Sequence, residues 1–271
     1  MEINWVWPNS SGSNEMLQEL ANECINDLPT SLRRLSAVAN GGKHTPQVVD
    51  YSELTFNKQG IALANRLHDA FNKYGSDKGG LHDYHQLYGQ LLSWHGEQPS
   101  IMEIGIGSTN LSIPSNMGVN GSPGAALHAF REVLPNASLF GADIDDKIHI
   151  AGVKIYQIDQ RRYETLAAMA ADAATEFDLI IDDGLHAPNA NLNTLAMGLT
   201  TISNNGAIVI EDIPPRAAEF WAVVAELLAP TSYECILIKM RISYVFVVVR
   251  SGSRVLSNLR ADNLVDFTSD T

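Results

Sequence analysis

Residues 178–186 read D-L-I-I-D-D-G-L-H: an apolar run ending in two adjacent acids, Asp182 and Asp183, then a glycine and, three positions past the second acid, His186. Neighbouring carboxylates repel each other wherever they are partly desolvated, so they need a cation, a set of backbone N–H groups or open water. Twenty-eight positions after Asp183, a second apolar run, G-A-I-V-I-E-D-I, carries Glu211 and Asp212 at its end. If the two runs are adjacent parallel strands, Asp183, Glu211 and Asp212 converge at their ends. Hard oxygen donors in that number suit Mg²⁺, which takes a few carboxylates and fills its remaining positions with water or substrate oxygens.

Three further apolar runs also end in residues that can meet a ligand. The first gives Glu103-Ile104-Gly105-Ile106-Gly107, where glycines let a ligand approach the backbone closely. The second ends at Asp143, followed by Asp145 and Asp146, and an acid at this point can hold a ribose diol. The third ends at Asp159-Gln160, an acceptor and an amide suited to an adenine edge. Taken singly, each could be a solvated loop acid or a helix N-cap; in this order they describe a nucleoside site.

The elements that must position these residues follow from the same pattern. S-I-M-E-I-G-I, S-L-F-G-A-D-I, V-K-I-Y-Q-I, F-D-L-I-I-D and G-A-I-V-I-E-D-I are near-continuous apolar strands, as in a parallel sheet covered on both faces. Helical patterns between them at 124–134, 161–174, 188–202 and 215–229 predict a doubly wound, mostly parallel α/β domain. E-C-I-L-I-K-M and Y-V-F-V-V-V-R lie too close in sequence for a parallel crossover, so they are expected to run in opposite directions. Before residue 97, Leu17, Leu20, Ala21, Cys24, Ile25 and Leu28, then Ile61, Ala64, Leu67 and Phe71, recur at helical spacing. The expected organisation is a helical extension over 1–96, a ligand-binding domain over 97–251 and a polar tail over 252–271.

Composition narrows the partners. Eighteen basic against thirty-one acidic residues give a net charge of −13, which opposes attraction to nucleic acid or anionic lipid. Cys24 and Cys235 have neither disulfide nor metal spacing. No leader pattern and no membrane-length apolar stretch is read, so a cytoplasmic protein is expected. A homo-oligomer is left open.

With the glycines, Asp143 and the spaced acids in hand, the chain resembles class I S-adenosylmethionine-dependent O-methyltransferases of the metal-dependent kind. D-D-G-x-H with I-E-D-I, and D-K-G-G-L-H-D-Y-H-Q-L-Y upstream, is most similar to the macrocin and mycinamicin sugar O-methyltransferases, over roughly residues 74–250. The resemblance implies Asp183, Glu211 and Asp212 as ligands of Mg²⁺ or another divalent cation, and His186 as general base. It implies Glu103, Gly105, Gly107, Asp143, Asp159, Gln160 and Asp182 around S-adenosylmethionine, Asp182 mainly through its backbone. The acceptor would be a sugar with a vicinal diol, on a small molecule or a glycan. The chain departs from the pattern at Leu185, where such enzymes usually have serine, and in the long segment 108–123, which reads either as an active-site lid, because it leaves a strand end, or as a surface insertion. His82, Tyr84 and His85 are expected either to meet cofactor or acceptor or to pack a helix on the sheet.

Two other readings share parts of this pattern. A nicotinamide-dependent oxidoreductase would use the glycines and the second-strand acid, but G-x-G-x-x-G fails at Asn110 and the spaced acids have no role in it. A non-enzymatic nucleotide-binding module would leave the same acids as solvated strand ends.

Overall fold

The computed structural model describes residues 48–253 other than 114 and 147, together with residues 22, 26 and 255. The helical pattern read over Leu17–Leu28 and the tail past residue 255 lie outside the described residues. Eight strands form one sheet: β1 (Val48–Asp50), β2 (Ser100–Ile104), β3 (Ser138–Asp143), β4 (Lys154–Gln157), β5 (Phe177–Asp182), β6 (Ile202–Ile213), β7 (Tyr233–Lys239) and β8 (Tyr244–Arg250). Their spatial order is β1-β7-β8-β6-β5-β2-β3-β4, and every neighbouring pair is parallel except the two that β8 makes. The expected opposed final strands are therefore direct neighbours.

The helices are α1 (Lys58–Tyr74), α2 (Tyr84–Leu92), α3 (Ala125–Val133), α4 (Tyr163–Ala173), α5 (Pro188–Thr201) and α6 (Ala218–Leu228). Because side chains alternate across a strand, each buried strand feeds both faces of the sheet. Ile101, Leu179, Ile181 and Val209 join Leu67, Phe71, Leu87 and Phe130 from α1, α2 and α3. Met102, Ile180, Ile208 and Ile210 join Leu166, Leu195, Trp221 and Val224 from α4, α5 and α6. The result is a three-layer α/β/α arrangement, the doubly wound architecture that the apolar runs predict.

Two details differ from the sequence reading. Val48–Asp50 was not read as a strand; it pairs in parallel with β7 and so puts part of the N-terminal stretch into the same sheet as the rest. Ile61 is about half exposed, because α1 turns Gly60, Ala64, Leu67 and Phe71 inward instead. α1 is capped by Asn57, whose side chain accepts from Gly60 N at 2.7 Å, and stops at Gly75 in the left-handed conformation. That stop turns residues 76–83 across the carboxyl ends of the strands.

Candidate active site

A cavity of about 160 Å³ opens over the ends of β2, β3 and β4, lined by Gly105, Gly107, Asp143, Asp159, Gln160 and Asp183 among others. Gly105 has φ +84°, and a Cβ there would stand 2.2 Å from the Asp183 carbonyl oxygen, so this turn has room only for glycine. Asp143 closes β3 and accepts from Gly107 N at 3.1 Å and Asp145 N at 3.0 Å, which ties the second strand end to the glycine turn. Burial raises its pKa despite those donors.

The other expected nucleoside contacts are partly spent inside the protein. Gln160 donates from Nε2 to Asp182 Oδ1 and Thr194 Oγ1, and its Oε1 accepts from Leu185 N. It shapes the cavity while its amide is engaged elsewhere. Asp159 is gripped at both oxygens by Arg161, whose guanidinium hydrogen bonds hold the carboxyl below its ordinary range. Asp182 is fully buried and accepts from Gln160, Gly184 N and Asn191, so its side chain organises the turn after β5.

At the ends of β5 and β6 the acids meet. β5 and β6 run parallel with Asp182 opposite Ile210, which brings Asp183 beside Glu211. The β6–β8 register breaks between Ile210 and Ile213, and Asp212 sits at φ +55° in that break. Such an irregularity re-aims consecutive side chains. Glu211 is accordingly buried, while Asp212 keeps about a quarter of its side chain exposed. Asp183, His186 and Asp212 each present one ligand atom, all within 4.8 Å of one another. His186 Nε2 lies 3.8 Å from Asp183 Oδ1 and 3.9 Å from Asp212 Oδ2. Two hard carboxylates with an imidazole suit a divalent cation. Glu211 stands outside that group of three, its oxygens bonded to Tyr88 and Lys78.

The segment 77–88 surrounds these acids. Lys78 is 2% exposed; its Nζ donates to Asp183 Oδ2 and Glu211 Oε2 and stands 3.6 Å from Glu103 Oε1. Burial alone would lower the Lys78 pKa, but the charges of Asp183, Glu211 and Glu103 outweigh it and hold the ammonium well above its ordinary value. Burial raises Asp183 and Glu211 in spite of Lys78, and pushes Glu103 to about 7. Three carboxylates share one lysine, and Asp212 beside them faces His82 instead, so the cluster is short of positive charge. Tyr84 and Tyr88, one turn apart on α2, donate to Asp212 Oδ1 at 2.6 Å and to Glu211 Oε1. His82 stacks on Tyr84, with Nδ1 3.3 Å from Asp212 Oδ1. His85 is buried against His68, ring centroids 4.8 Å apart. Of the alternatives read for this stretch, Tyr84 and His82 thus serve the acids and His85 packs.

Sequence reasoning passed over Lys78 and Tyr88. The available signals were the i, i+4 tyrosines and a lysine flanked by glycines ahead of an apolar helix.

Two more openings flank the cluster, and His186 and Asp212 line both. One, of about 390 Å³, runs between Ser76–Lys78 and Asn116–Ser122. The other, of about 250 Å³, is walled by Pro188, Pro214, Phe220 and Trp221. The 108–123 segment borders the first two cavities through Ser115 and touches the β5 turn where Ser115 Oγ donates to Leu185 O at 3.4 Å. Asp183, His186 and Asp212 therefore stand where the three cavities meet.

No family model matches the chain. It is 33% identical over 145 residues, 52% of its length, to L-olivosyl-oleandolide 3-O-methyltransferase of Streptomyces antibioticus, covering 35% of that protein. It is 31% identical over 123 residues, 44% of its length, to mycinamicin VI 2''-O-methyltransferase of Micromonospora griseorubida, covering 28% of that protein. The chain thus spans about a third of the length of the curated relatives it matches. Among solved structures, the MycE methyltransferase of the mycinamycin biosynthetic pathway, in complex with Mg, SAH and mycinamycin VI, superposes with a TM-score of 0.55 at 20% identity. The match covers 73% of this chain and 56% of that one. No described helix is long and apolar enough to cross a membrane. The chain thus shares the fold of the MycE methyltransferase, and over about half its length it is similar in sequence to sugar O-methyltransferases.

Proposed function

We propose that the protein is an S-adenosylmethionine- and Mg²⁺-dependent O-methyltransferase acting on a hydroxyl of a sugar vicinal diol. The observation that carries this reading is the placement of Asp183, His186 and Asp212 where the cavities bordered by the glycine turn meet a further opening walled by Phe220 and Trp221 that is free for an acceptor. Gly105, Gly107 and Asp143 would take the cofactor's methionine and ribose portions, with Glu103 beneath, and the cavity walls at Asp159 and Gln160 would flank its base. Asp183 and Asp212 would hold the cation with the oxygens they turn to the opening, Glu211 adding charge from the layer beneath. A divalent cation held there would supply Lewis-acid chemistry, lowering the pKa of the hydroxyl to be methylated.

The chain's own residues do the remaining work. Methyl transfer from a sulfonium is an in-line displacement, so placing the acceptor oxygen near the methyl carbon supplies much of the acceleration. His186 Nε2, already facing both acids, accepts the hydroxyl proton. Tyr84, His82 and Lys78 keep the carboxylates from turning away as the charge shifts. The acceptor is proposed to be a glycosylated small molecule, because the relatives' names specify sugars on such compounds.

The test is calorimetry with S-adenosylhomocysteine and with NAD, followed by methyl transfer to a panel of glycosides with and without chelator. Binding of the sulfur nucleoside and turnover abolished by chelator are expected. Affinity for NAD alone would assign the cleft to a hydride carrier, and full turnover in excess chelator would remove the metal.

A further inference from the structure

We propose that Lys78 is a positioning residue: its ammonium is the fixed counter-ion that sets the carboxylates of three adjacent strands for binding a divalent cation. The inference rests on the metal reading above. Glu103 comes from β2, Asp183 directly follows β5 and Glu211 lies in β6, and all three converge on one Nζ that is sealed from solvent. With Oδ2 of Asp183 drawn inward to Lys78, Oδ1 is the oxygen left facing His186. Glu211 is fixed from both sides, by Lys78 on Oε2 and Tyr88 on Oε1. Asp212, which Lys78 does not bond, is oriented separately by Tyr84.

Two layers result. The inner one is an ammonium bonded to Asp183 and Glu211, with Glu103 beside it and Glu103 Oε2 left without a hydrogen-bond partner; the outer one is a pair of carboxylate oxygens and an imidazole open to a ligand. Without the inner cation, two buried acids and the partly exposed Asp183 would face each other with nothing between them, and each would turn toward water or away from its neighbours. Lys78 is supplied by the loop that follows the Gly75 stop of α1, so that loop takes part in building the site from which it is remote in sequence.

Lys78→Met keeps an unbranched apolar stem and removes the ammonium, with its charge and the hydrogen bonds that it donates to Asp183 and Glu211. Mn²⁺ binding followed by electron paramagnetic resonance at fixed pH, on protein whose circular dichroism matches the wild type, reads the effect without turnover. The expected result is a dissociation constant raised about 10-fold or more, the scale seen when a residue supporting metal ligands is removed. Lys78→Met/Glu103→Gln, which also removes one of the acids that the lysine balances, should bind Mn²⁺ more tightly than Lys78→Met alone. A purely structural lysine would show no such coupling. Unchanged or tighter Mn²⁺ binding by folded Lys78→Met overturns the proposal. If Lys78→Met does not fold, crystals of the wild type soaked in Mn²⁺ decide: Nζ retained on Asp183 and Glu211 beside the ion supports the counter-ion role, and an ion in place of a displaced Lys78 overturns it. A wild type that binds no Mn²⁺ at all instead counts against the metal reading of the function, and this inference falls with it.

Discussion

His186 and Asp212 both sit at positive φ, 53° and 55°, a conformation that costs a non-glycine residue on the order of 1–2 kcal/mol. Two such residues facing each other across the acids are a local compromise that the surrounding packing sustains, and it aims both side chains at one opening. At this scale the base assignment is testable. His186→Ala should lower turnover on the order of 10²-fold at saturating Mg²⁺ while leaving S-adenosylhomocysteine affinity largely unchanged, because the imidazole does not line the cavity over the ends of β2, β3 and β4. Near-normal turnover by this variant across the pH range would give the proton to solvent or a carboxylate instead. Asp183, Asp212 and His186 were legible because adjacent acids after an apolar run have few physical explanations. Lys78 was not, since a lysine in a glycine-rich polar stretch reads as solvated until the fold places three carboxylates around it. Gln160 was expected to offer its amide to an adenine edge, but that amide is committed to Asp182, Thr194 and Leu185 N by contacts that only the tertiary structure creates.

Elements decide which side chains reach the site together. The irregular end of β6 separates Glu211 from Asp212, α2 presents Tyr84 and Tyr88 along one edge, and the glycine turn after β2 passes directly under the turn after β5. That last contact is the tightest constraint. Gly105→Ala would place a methyl 2.2 Å from the Asp183 carbonyl oxygen and force an alanine into φ +84°. The expected outcome is loss of S-adenosylhomocysteine affinity by about 10-fold or more, with a lower unfolding midpoint, since left-handed backbone and overpacking each cost roughly 1–3 kcal/mol. Wild-type affinity in calorimetry would mean that the turn is not part of the cofactor site. The long buried strands and the helices between them were legible because period and length both spoke for them. β1 was not: three residues are too few to show a period, and Val48–Asp50 is a strand only because β7 offers an open edge.

The sheet as a whole has two dissimilar ends. At the carboxyl ends of β2, β5 and β6, acids outnumber the cations that the chain supplies, and that imbalance invites a ligand. At the opposite end a partly buried carboxylate is fully answered. Asp178, at the start of β5, accepts from Ser100 N of β2 at 2.9 Å and from Ser203 Oγ of β6 at 2.7 Å, with His95 Nδ1 3.2 Å away. One carboxylate thus ties three central strands and the loop before β2. Burial would raise its pKa, but the hydrogen bonds from His95, Ser100 and Ser203 prevail and hold it at about 2, below its ordinary 3.8. A carboxylate depressed in the folded state stabilises the fold above its unfolded pKa, and that stability is lost as pH falls through the folded value. The shift from 3.8 to about 2 corresponds to roughly 2 kcal/mol. Asp178→Asn should therefore be about 2 kcal/mol less stable than the wild type near pH 7, and the two should converge as pH is lowered from about 4 to about 2. Urea unfolding at a series of pH values reads this directly. Parallel profiles for the two proteins would show that the carboxylate is no better held in the folded chain than in the unfolded one, and that the lower end of the sheet depends on packing alone.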